Sequence, residues 1–199
     1  LNNMPRIIAG SKKSIILETP KGQSNVRPTY DRTKENLFNI VASRYPLEDA
    51  CVLDIFSGTG SIGLECLSRG AKYAVFIDKD ISLTRKNIEK CDFSGISRTI
   101  RGDWANGLRV LKEENMKFTH IFLDPPYQSG LHERIIENND LYDIMSENGV
   151  VIAELSNKAN VPESTAELVL KDKRKYGICV FAFYIRGELN EDLGMSGEL

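Results

Sequence analysis

Metal and redox chemistry have little to work with in this chain of 199 residues. It has two histidines, His120 and His132, and four cysteines, Cys51, Cys66, Cys91 and Cys179, none of them in a Cys-x-x-Cys pair. That pattern excludes a structural zinc site. Four thiols in a chain of this size do not make a disulfide framework, so free thiols in a reducing compartment are expected. Long hydrophobic runs are missing too: the longest, Ile178 to Ile185, has eight residues and cannot span a bilayer. The opening Leu1-Asn2-Asn3-Met4-Pro5 starts no apolar segment of the kind a secretory signal needs, so a cytoplasmic location without a membrane partner is expected. No sign of charge dominates, with 26 Lys and Arg against 28 Asp and Glu. A uniformly basic coat for nucleic acid is therefore excluded. Internal repeats and low-complexity tracts are absent as well, and with 41% hydrophobic and 27% charged residues the chain as a whole is expected to fold.

The charge that is present is unevenly placed. Residues 1–45 hold eight basic residues (Arg6, Lys12, Lys13, Lys21, Arg27, Arg32, Lys34 and Arg44) against three acidic ones, and the rest of the chain is acidic. A basic N-terminal module on an acidic body can meet a polyanion with one face. Two short apolar runs, Arg6–Ala9 and Ile15–Leu17, flank Gly10 and predict a small hairpin. Loop residues follow from Thr19, then a helix from about Tyr30 to Arg44, stopped by Pro46.

From residue 51 strands and helices alternate. Strands are predicted at Cys51–Phe56, Tyr73–Ile77, Arg98–Gly102, Phe118–Leu123 and Gly149–Leu155. Helices are predicted after the first turn, over Ser82–Cys91, around Leu108–Leu111 and from Leu131. This alternation means an α/β fold with a doubly wound, mostly parallel sheet. Two last runs, Glu167–Lys171 and Ile178–Ile185, separated by a charged turn, predict an antiparallel edge hairpin, and residues 187–199, with four acids and no base, a flexible acidic tail.

Three clusters carry chemistry. In Asp54-Ile55-Phe56-Ser57-Gly58-Thr59-Gly60-Ser61-Ile62-Gly63 the glycines match G-x-G-x-x-G between a strand and a helix, and Asp78 stands twenty residues after Gly58, where an acid grips ribose hydroxyls. Asp54 at the tip of the first strand repels a pyrophosphate and attracts an ammonium. The pattern therefore favours S-adenosylmethionine, which has adenosine, a sulfonium and an ammonium but no phosphate, over NAD. Phe56, Ser57, Gly58, Thr59 and Gly60 are the candidate cofactor loop. After the third strand, Asp103 can accept from the adenine amino group and Trp104 can pack on the ring; a helix cap and an anchoring ring are equally good readings.

The third cluster is Asp124-Pro125-Pro126-Tyr127 after the fourth strand. Two prolines hold the backbone rigid where strands deliver active-site groups. The Asp124 carboxylate and the Pro125 carbonyl are two acceptors able to hold the two hydrogens of an exocyclic amine, and Tyr127 offers a face for a base, worth roughly 1–3 kcal/mol. The N-terminal basic residues can bind phosphate or cap the mouth of the site. Neither histidine has metal-ligand spacing, and both are read as structural or exposed.

Together these residues resemble the bacterial small-subunit ribosomal RNA guanine-N2 methyltransferases of the RsmD type. The resemblance spans nearly the whole chain: Arg6–Gly10, Thr19–Gly22, Val26–Thr29 with Asp31-Arg32, Glu35 with Leu37-Phe38-Asn39, Asp54–Gly60, Gly63–Glu65, Leu67–Ala71, Asp124–Tyr127, Tyr176-Gly177 and Phe183-Tyr184. The Asp-Pro-Pro-Tyr motif is shared with many amino-group methyltransferases. The Arg-Pro-Thr segment with Asp31-Arg32 and Leu37-Phe38-Asn39 is more particular to this family. Two positions depart from it. Ser11-Lys12-Lys13 stands where the family usually has a basic R-G-R, and Asp78 where it often has Glu.

The resemblance implies a Rossmann-like class I methyltransferase with a seven-stranded sheet and a small N-terminal β-hairpin extension. It implies an enzyme that moves a methyl group from S-adenosylmethionine, without a metal, to N2 of a guanine in 16S rRNA of the small subunit or an assembly intermediate. Asp124 is then the amine-orienting catalytic residue, with Pro125, Pro126 and Tyr127 around the flipped base. Arg6, Lys12, Lys13, Arg27 and Arg32 become the candidate RNA contacts. The expected organisation is residues 1–29 as hairpin and loop, 30–186 as the methyltransferase domain and 187–199 as the tail, in a monomer. The motif by itself leaves adenine-N6 or cytosine-N4 methylation of DNA or another RNA open.

Overall fold

The computed structural model describes residues 5–20, 28–126 and 130–187. Arg27, Tyr127, most of the predicted loop and the acidic tail from residue 188 lie outside them. Helix α1 (Pro28–Arg44) precedes β1 (Cys51–Ile55), α2 (Ser61–Ser68), β2 (Tyr73–Asp78), α3 (Ser82–Lys90), β3 (Ser97–Arg101), α4 (Trp104–Glu113) and β4 (Phe118–Leu123). Then come α5 (Leu131–Ile136), α6 (Asn139–Ile144), β5 (Met145–Ser156), β6 (Leu168–Tyr176) and β7 (Cys179–Arg186). The strands form one sheet in the order β3-β2-β1-β4-β5-β7-β6. The first five strands are parallel, and β7 runs antiparallel between β5 and β6. The predicted doubly wound sheet with an antiparallel edge is therefore the observed fold. Among the described residues no helix is long and apolar enough to cross a membrane.

Both faces of the sheet are covered, which is why its strands read as near-continuous apolar runs. On one face Val52, Phe76, Phe122 and Ile152 pack with Ile7, Leu17, Leu37, Phe38 and Val41. On the other Leu53, Ile55, Leu123 and Ala153 pack with Leu108, Leu111, Ile135 and Leu141. Successive side chains of a strand point to opposite faces, so this alternation also fixes which way the residues at the strand tips point.

Several predicted elements change in detail. The charged run Lys171–Lys175 is not a turn but the outer part of β6, paired with β7 over Asp172 to Tyr176. As an edge strand it is blunted by its charges, which discourage pairing with another chain. β5 starts at Met145 rather than Gly149, and its register with β4 shifts between Phe118 and His120. Helix α6 has no counterpart in the sequence reading; Asn138 caps it by accepting the Asp140 N–H at 2.9 Å. The predicted N-terminal hairpin forms as a short antiparallel pair, with one bridge, Arg6 to Ile16, and the Ile7 N–H donating to the Ile15 carbonyl at 3.0 Å, the Ser14 N–H to the Ile7 carbonyl at 2.8 Å and the Leu17 N–H to the Pro5 carbonyl at 2.8 Å, while other backbone groups of the segment turn to helix α2.

Those groups find an unusual partner. Glu65, wholly buried in α2, accepts the Ile8 N–H at 2.7 Å and the Ala9 N–H at 3.0 Å. Lys34 and Arg69 lie 3.4 Å and 2.8 Å from the same carboxylate. Lys34 Nζ also donates to the Arg6 carbonyl and to Ser61 Oγ, the first residue of α2. A buried carboxylate is tolerated because both oxygens are satisfied; removing one partner of such a set costs about 3–5 kcal/mol. Ser68 Oγ and the Ser68 carbonyl take the next turn, bonding Ala9, Lys12 and Ser11.

Gly10 is what lets the segment approach so closely. Its φ is +83°, and a Cβ there would lie 1.7 Å from the Ser68 carbonyl oxygen. Gly10→Ala is expected to destabilise the fold by roughly 2–4 kcal/mol, combining left-handed strain with overpacking. Differential scanning calorimetry should show Tm lower by about 5–10 °C, given the chain's size. An unchanged Tm would mean that the segment is not docked on α2 in solution.

Candidate active site

Four carboxylates stand at the carboxyl ends of four neighbouring strands. In sheet order they are Asp78 on β2, Asp54 on β1, Asp124 after β4 and Glu154 on β5. Each follows by two residues a side chain of the α1-facing core: Phe76, Val52, Phe122 and Ile152. By the two-residue repeat of a strand all four therefore point to one face. β1 lies between β2 and β4, with Ile55 opposite both Ile77 and Leu123, and Leu123 lies opposite Ala153. Asp124 and Glu154 are thus the next pair along β4 and β5. None of the four forms an ion pair with a described residue, and among the described residues no such group is arranged to hold a metal ion.

A cavity of about 560 Å³ opens along this row. Its wall carries Phe56, Asp78, Asp103, Trp104, Asp124, Pro125, Pro126 and Glu154, so seven predicted site residues meet in one space. Lys79 is the one basic residue on its wall among the described residues. Asp103 caps α4, accepting the Asn106 N–H at 2.8 Å, and also lines the cavity.

The glycine-rich turn is held from behind. Phe56 takes a left-handed φ of +66°, strained for a residue with a side chain. The turn is then fixed by the Gly58 N–H donating to Asp78 Oδ2 at 2.9 Å and by Thr84 Oγ1 donating to the Gly58 carbonyl at 2.8 Å. Buried Asn87 donates to the Thr59 carbonyl at 2.9 Å and exchanges two bonds with the Glu18 backbone. Ser57, Thr59 and Gly60 belong to this support rather than to the cavity wall. Gly63 serves packing: a Cβ there would lie 2.4 Å from the Phe76 ring.

Asp54 sits beneath the turn, 3% exposed, and accepts the Gly63 N–H at 2.9 Å. Burial pushes its carboxyl up to about 7; the Gly63 bond opposes this and the charge of Asp78 adds to it. Asp124 opens to the cavity, yet its apolar surroundings, then Glu154, then Asp54 hold its carboxyl well above the usual carboxylate range. Desolvation raises Glu154 too, partly offset by the Cys179 thiol, which donates to Oε1 at 3.5 Å.

This arrangement suits a ligand that brings positive charge and hydroxyl groups and lacks phosphate. S-adenosylmethionine answers that description, and the cavity is within the usual size for a ligand of its class. Asp78, Asp103, Trp104 and Asp124 share the cavity wall, and Asp54 lies beneath the turn rather than on that wall. A pyrophosphate would meet four carboxylates.

Of the candidate RNA contacts among the described residues, Arg6, Lys12, Lys13 and Arg32, none lies on the wall of this cavity. Lys12 lies 3.7 Å from Asp92 and over the Phe93 ring, beyond the carboxyl end of α3 and hence at the far end of the sheet from the strand tips. Lys13, Arg6 and Arg32 are exposed. Both histidines are buried. His120 bonds Thr119 and the Tyr45 carbonyl, with burial lowering its pKa, and His132 bonds the Asn160 carbonyl. Residue patterns alone do not single out Glu154 or the Lys34–Glu65 pair. The available signal for Glu154 is a lone acid near the end of the apolar run Val150–Leu155.

Residues 5–185 match the family described as conserved hypothetical protein 95. The putative rRNA methyltransferase YlbH of Bacillus subtilis is 32% identical over 182 residues, covering 90% of this chain and 97% of its own length. The ribosomal RNA small subunit methyltransferase D of Escherichia coli is 29% identical over 192 residues, covering 94% of each. The solved structure of the putative methyltransferase yhhF from Escherichia coli superposes with a TM-score of 0.74 at 31% identity, covering 91% of this chain and 97% of that one. The chain belongs to the conserved hypothetical protein 95 family, the RsmD family that its motifs resemble.

Proposed function

We propose that this chain methylates the exocyclic N2 of a guanine in 16S rRNA of the small ribosomal subunit, with S-adenosyl-L-methionine as cofactor and S-adenosyl-L-homocysteine as product. The observation that carries the reading is the row of strand-tip carboxylates that includes Asp124, with the two prolines that follow it. The curated relatives named as rRNA methyltransferases, similar over nine-tenths of the chain, support RNA as the substrate class. The N-terminal resemblance supports guanine.

When bound, S-adenosylmethionine supplies a methyl group already activated on a sulfonium. The chain's task is then to present the acceptor nitrogen in line with it. Asp124 accepts one amine hydrogen and the Pro125 carbonyl the other, which aims the nitrogen lone pair at the methyl group. Pro126 has no N–H to compete for that carbonyl. Transfer of the methyl group would break its bond to the sulfonium sulfur, leaving that electron pair on S-adenosylhomocysteine, and would put a positive charge on the amine nitrogen, which the Asp124 carboxylate would stabilise and whose proton it would receive. Tyr127 offers the ring on which the flipped base stacks. Arg6, Lys13, Arg27 and Arg32 are the proposed phosphate contacts, and Lys12 would act only on RNA that reaches the far end of the sheet. A monomer acting in the cytoplasm fits docking on a large particle.

The test is transfer of labelled methyl from S-adenosylmethionine to small subunits lacking the modification, with nucleoside analysis of the digested RNA. N2-methylguanosine is the expected product. N6-methyladenosine or N4-methylcytidine would keep the cofactor site and overturn the guanine reading.

A further inference from the structure

We propose that Glu154 is the residue by which this site tells guanine from other amine-bearing bases, its carboxylate accepting the N1–H beside the amine that Asp124 and the Pro125 carbonyl hold. The inference rests on the guanine-N2 reading and deepens it.

Glu154 is on the cavity wall together with Asp124, Pro125 and Pro126. It also borders a second cavity of about 260 Å³ that shares both prolines, and the small crevice between Leu37, Asp54 and Asp124. It therefore stands at the junction between the cofactor space and the spaces beyond Asp124, on the strand next to Asp124 and pointing to the same face. No described cation pairs with it; its hydrogen-bond partner is the Cys179 thiol. A carboxyl group placed so costs desolvation, seen in its raised pKa, and the apolar strand around it needs no acid there.

The donor pattern of guanine explains the expense. Its Watson–Crick edge presents three hydrogens in a line, one on N1 and two on N2. Asp124 and the Pro125 carbonyl account for the two on N2, and a third acceptor alongside them is what N1–H requires. An ionised carboxylate accepts only. Adenine and cytosine place an acceptor nitrogen next to their amine, and that nitrogen would face the Glu154 carboxylate lone pair to lone pair. Arriving N–H donors favour the ionised form, so the base itself completes the site. Sites built around one hydrogen bond reject analogues that lack it far more strongly than apolar pockets reject a change in size.

The probe is 2-aminopurine, which keeps the amine of guanine but presents N1 as an acceptor. Small subunits are reconstituted with guanine or 2-aminopurine at the position that the wild-type enzyme methylates, and single-turnover rates are compared for the wild type and Glu154→Gln. The wild type is expected to prefer guanine by roughly 10²-fold or more. Glu154→Gln, whose amide can turn either its oxygen or its nitrogen to N1, should bring the two rates within about tenfold of each other while binding S-adenosylhomocysteine normally. A purely structural role for Glu154 would lower both rates and leave their ratio unchanged, which overturns the proposal. Equal use of both bases by the wild type overturns it without recourse to any variant. Either result can coexist with N2-methylguanosine as the wild-type product; a different methylated nucleoside would instead overturn the functional reading.

Discussion

Asp124→Ala is expected to lower methyl transfer by about 10²–10³-fold or more while S-adenosylhomocysteine still binds and the fold persists. The magnitude reflects what is lost: the acceptor that orients the amine, the charge that meets a developing cation, and the proton acceptor. The fold persists because Asp124 follows β4 rather than lying within it and makes no ion pair with a described residue. Its carboxyl is held well above the usual range by its surroundings, Glu154 and Asp54, so an ionised Asp124 is a burden on the empty protein. Acceptance of the amine requires the ionised form. As pH falls, protonation therefore removes activity well above the pH at which an ordinary carboxylate titrates, and the acidic limb of the single-turnover rate is displaced upward. Single-turnover rates from about pH 5 to 9, a span chosen to bracket a raised carboxyl, with calorimetric titration of S-adenosylhomocysteine, measure both parts. Wild-type turnover by the alanine variant would remove Asp124 from the chemistry.

Asp54→Asn should separate stability from binding. It is expected to weaken S-adenosylmethionine by on the order of 10²-fold, as removal of one partner from a buried charge pair does. The wild-type affinity should rise with pH through about 7, because a cationic ligand selects the ionised carboxylate and binding then releases a proton. Calorimetric titrations in buffers of different ionisation enthalpy would detect that proton. The empty protein behaves oppositely. With its folded-state carboxyl raised to about 7, Asp54 favours the fold at low pH, and that contribution is lost as pH rises from about 4 to 7. The asparagine variant should therefore melt higher than the wild type at about pH 8, by an amount worth up to roughly 4 kcal/mol before the cost of an unpartnered amide. Near about pH 5 the advantage should shrink, since Asp54 is then largely protonated in the folded wild type and carries no buried charge. An affinity that is the same in both proteins and flat with pH would place the ammonium elsewhere.

The local elements of the fold were legible in the residue pattern because each is driven locally. β4 lies where its apolar run lies, Pro46 follows the end of α1, and the strand–glycine–helix passage at Asp54 to Gly63 has the chemistry its turn demands. Asp124-Pro125-Pro126 was legible for the same reason: two prolines at a strand tip constrain their own backbone. The charged run in β6 misled because an edge strand tolerates charges that a central strand does not, and edge position is a property of the sheet.

What the sequence by itself determined, then, was the order of elements, the covered parallel sheet and the identity of three of the four strand-tip acids. The tertiary structure alone decided their company. Asp54 and Asp124 are seventy residues apart and become neighbours only because β1 lies beside β4. Glu154 joins them only because β5 pairs next to β4 and presents it on the same face of the pleat. Lys34 and Glu65 pin the N-terminal segment through one buried carboxylate that local pattern treats as surface. Periodicity reports which face of an element is apolar; it carries no information on which strand lies next, and electrostatic chemistry is made by the neighbour.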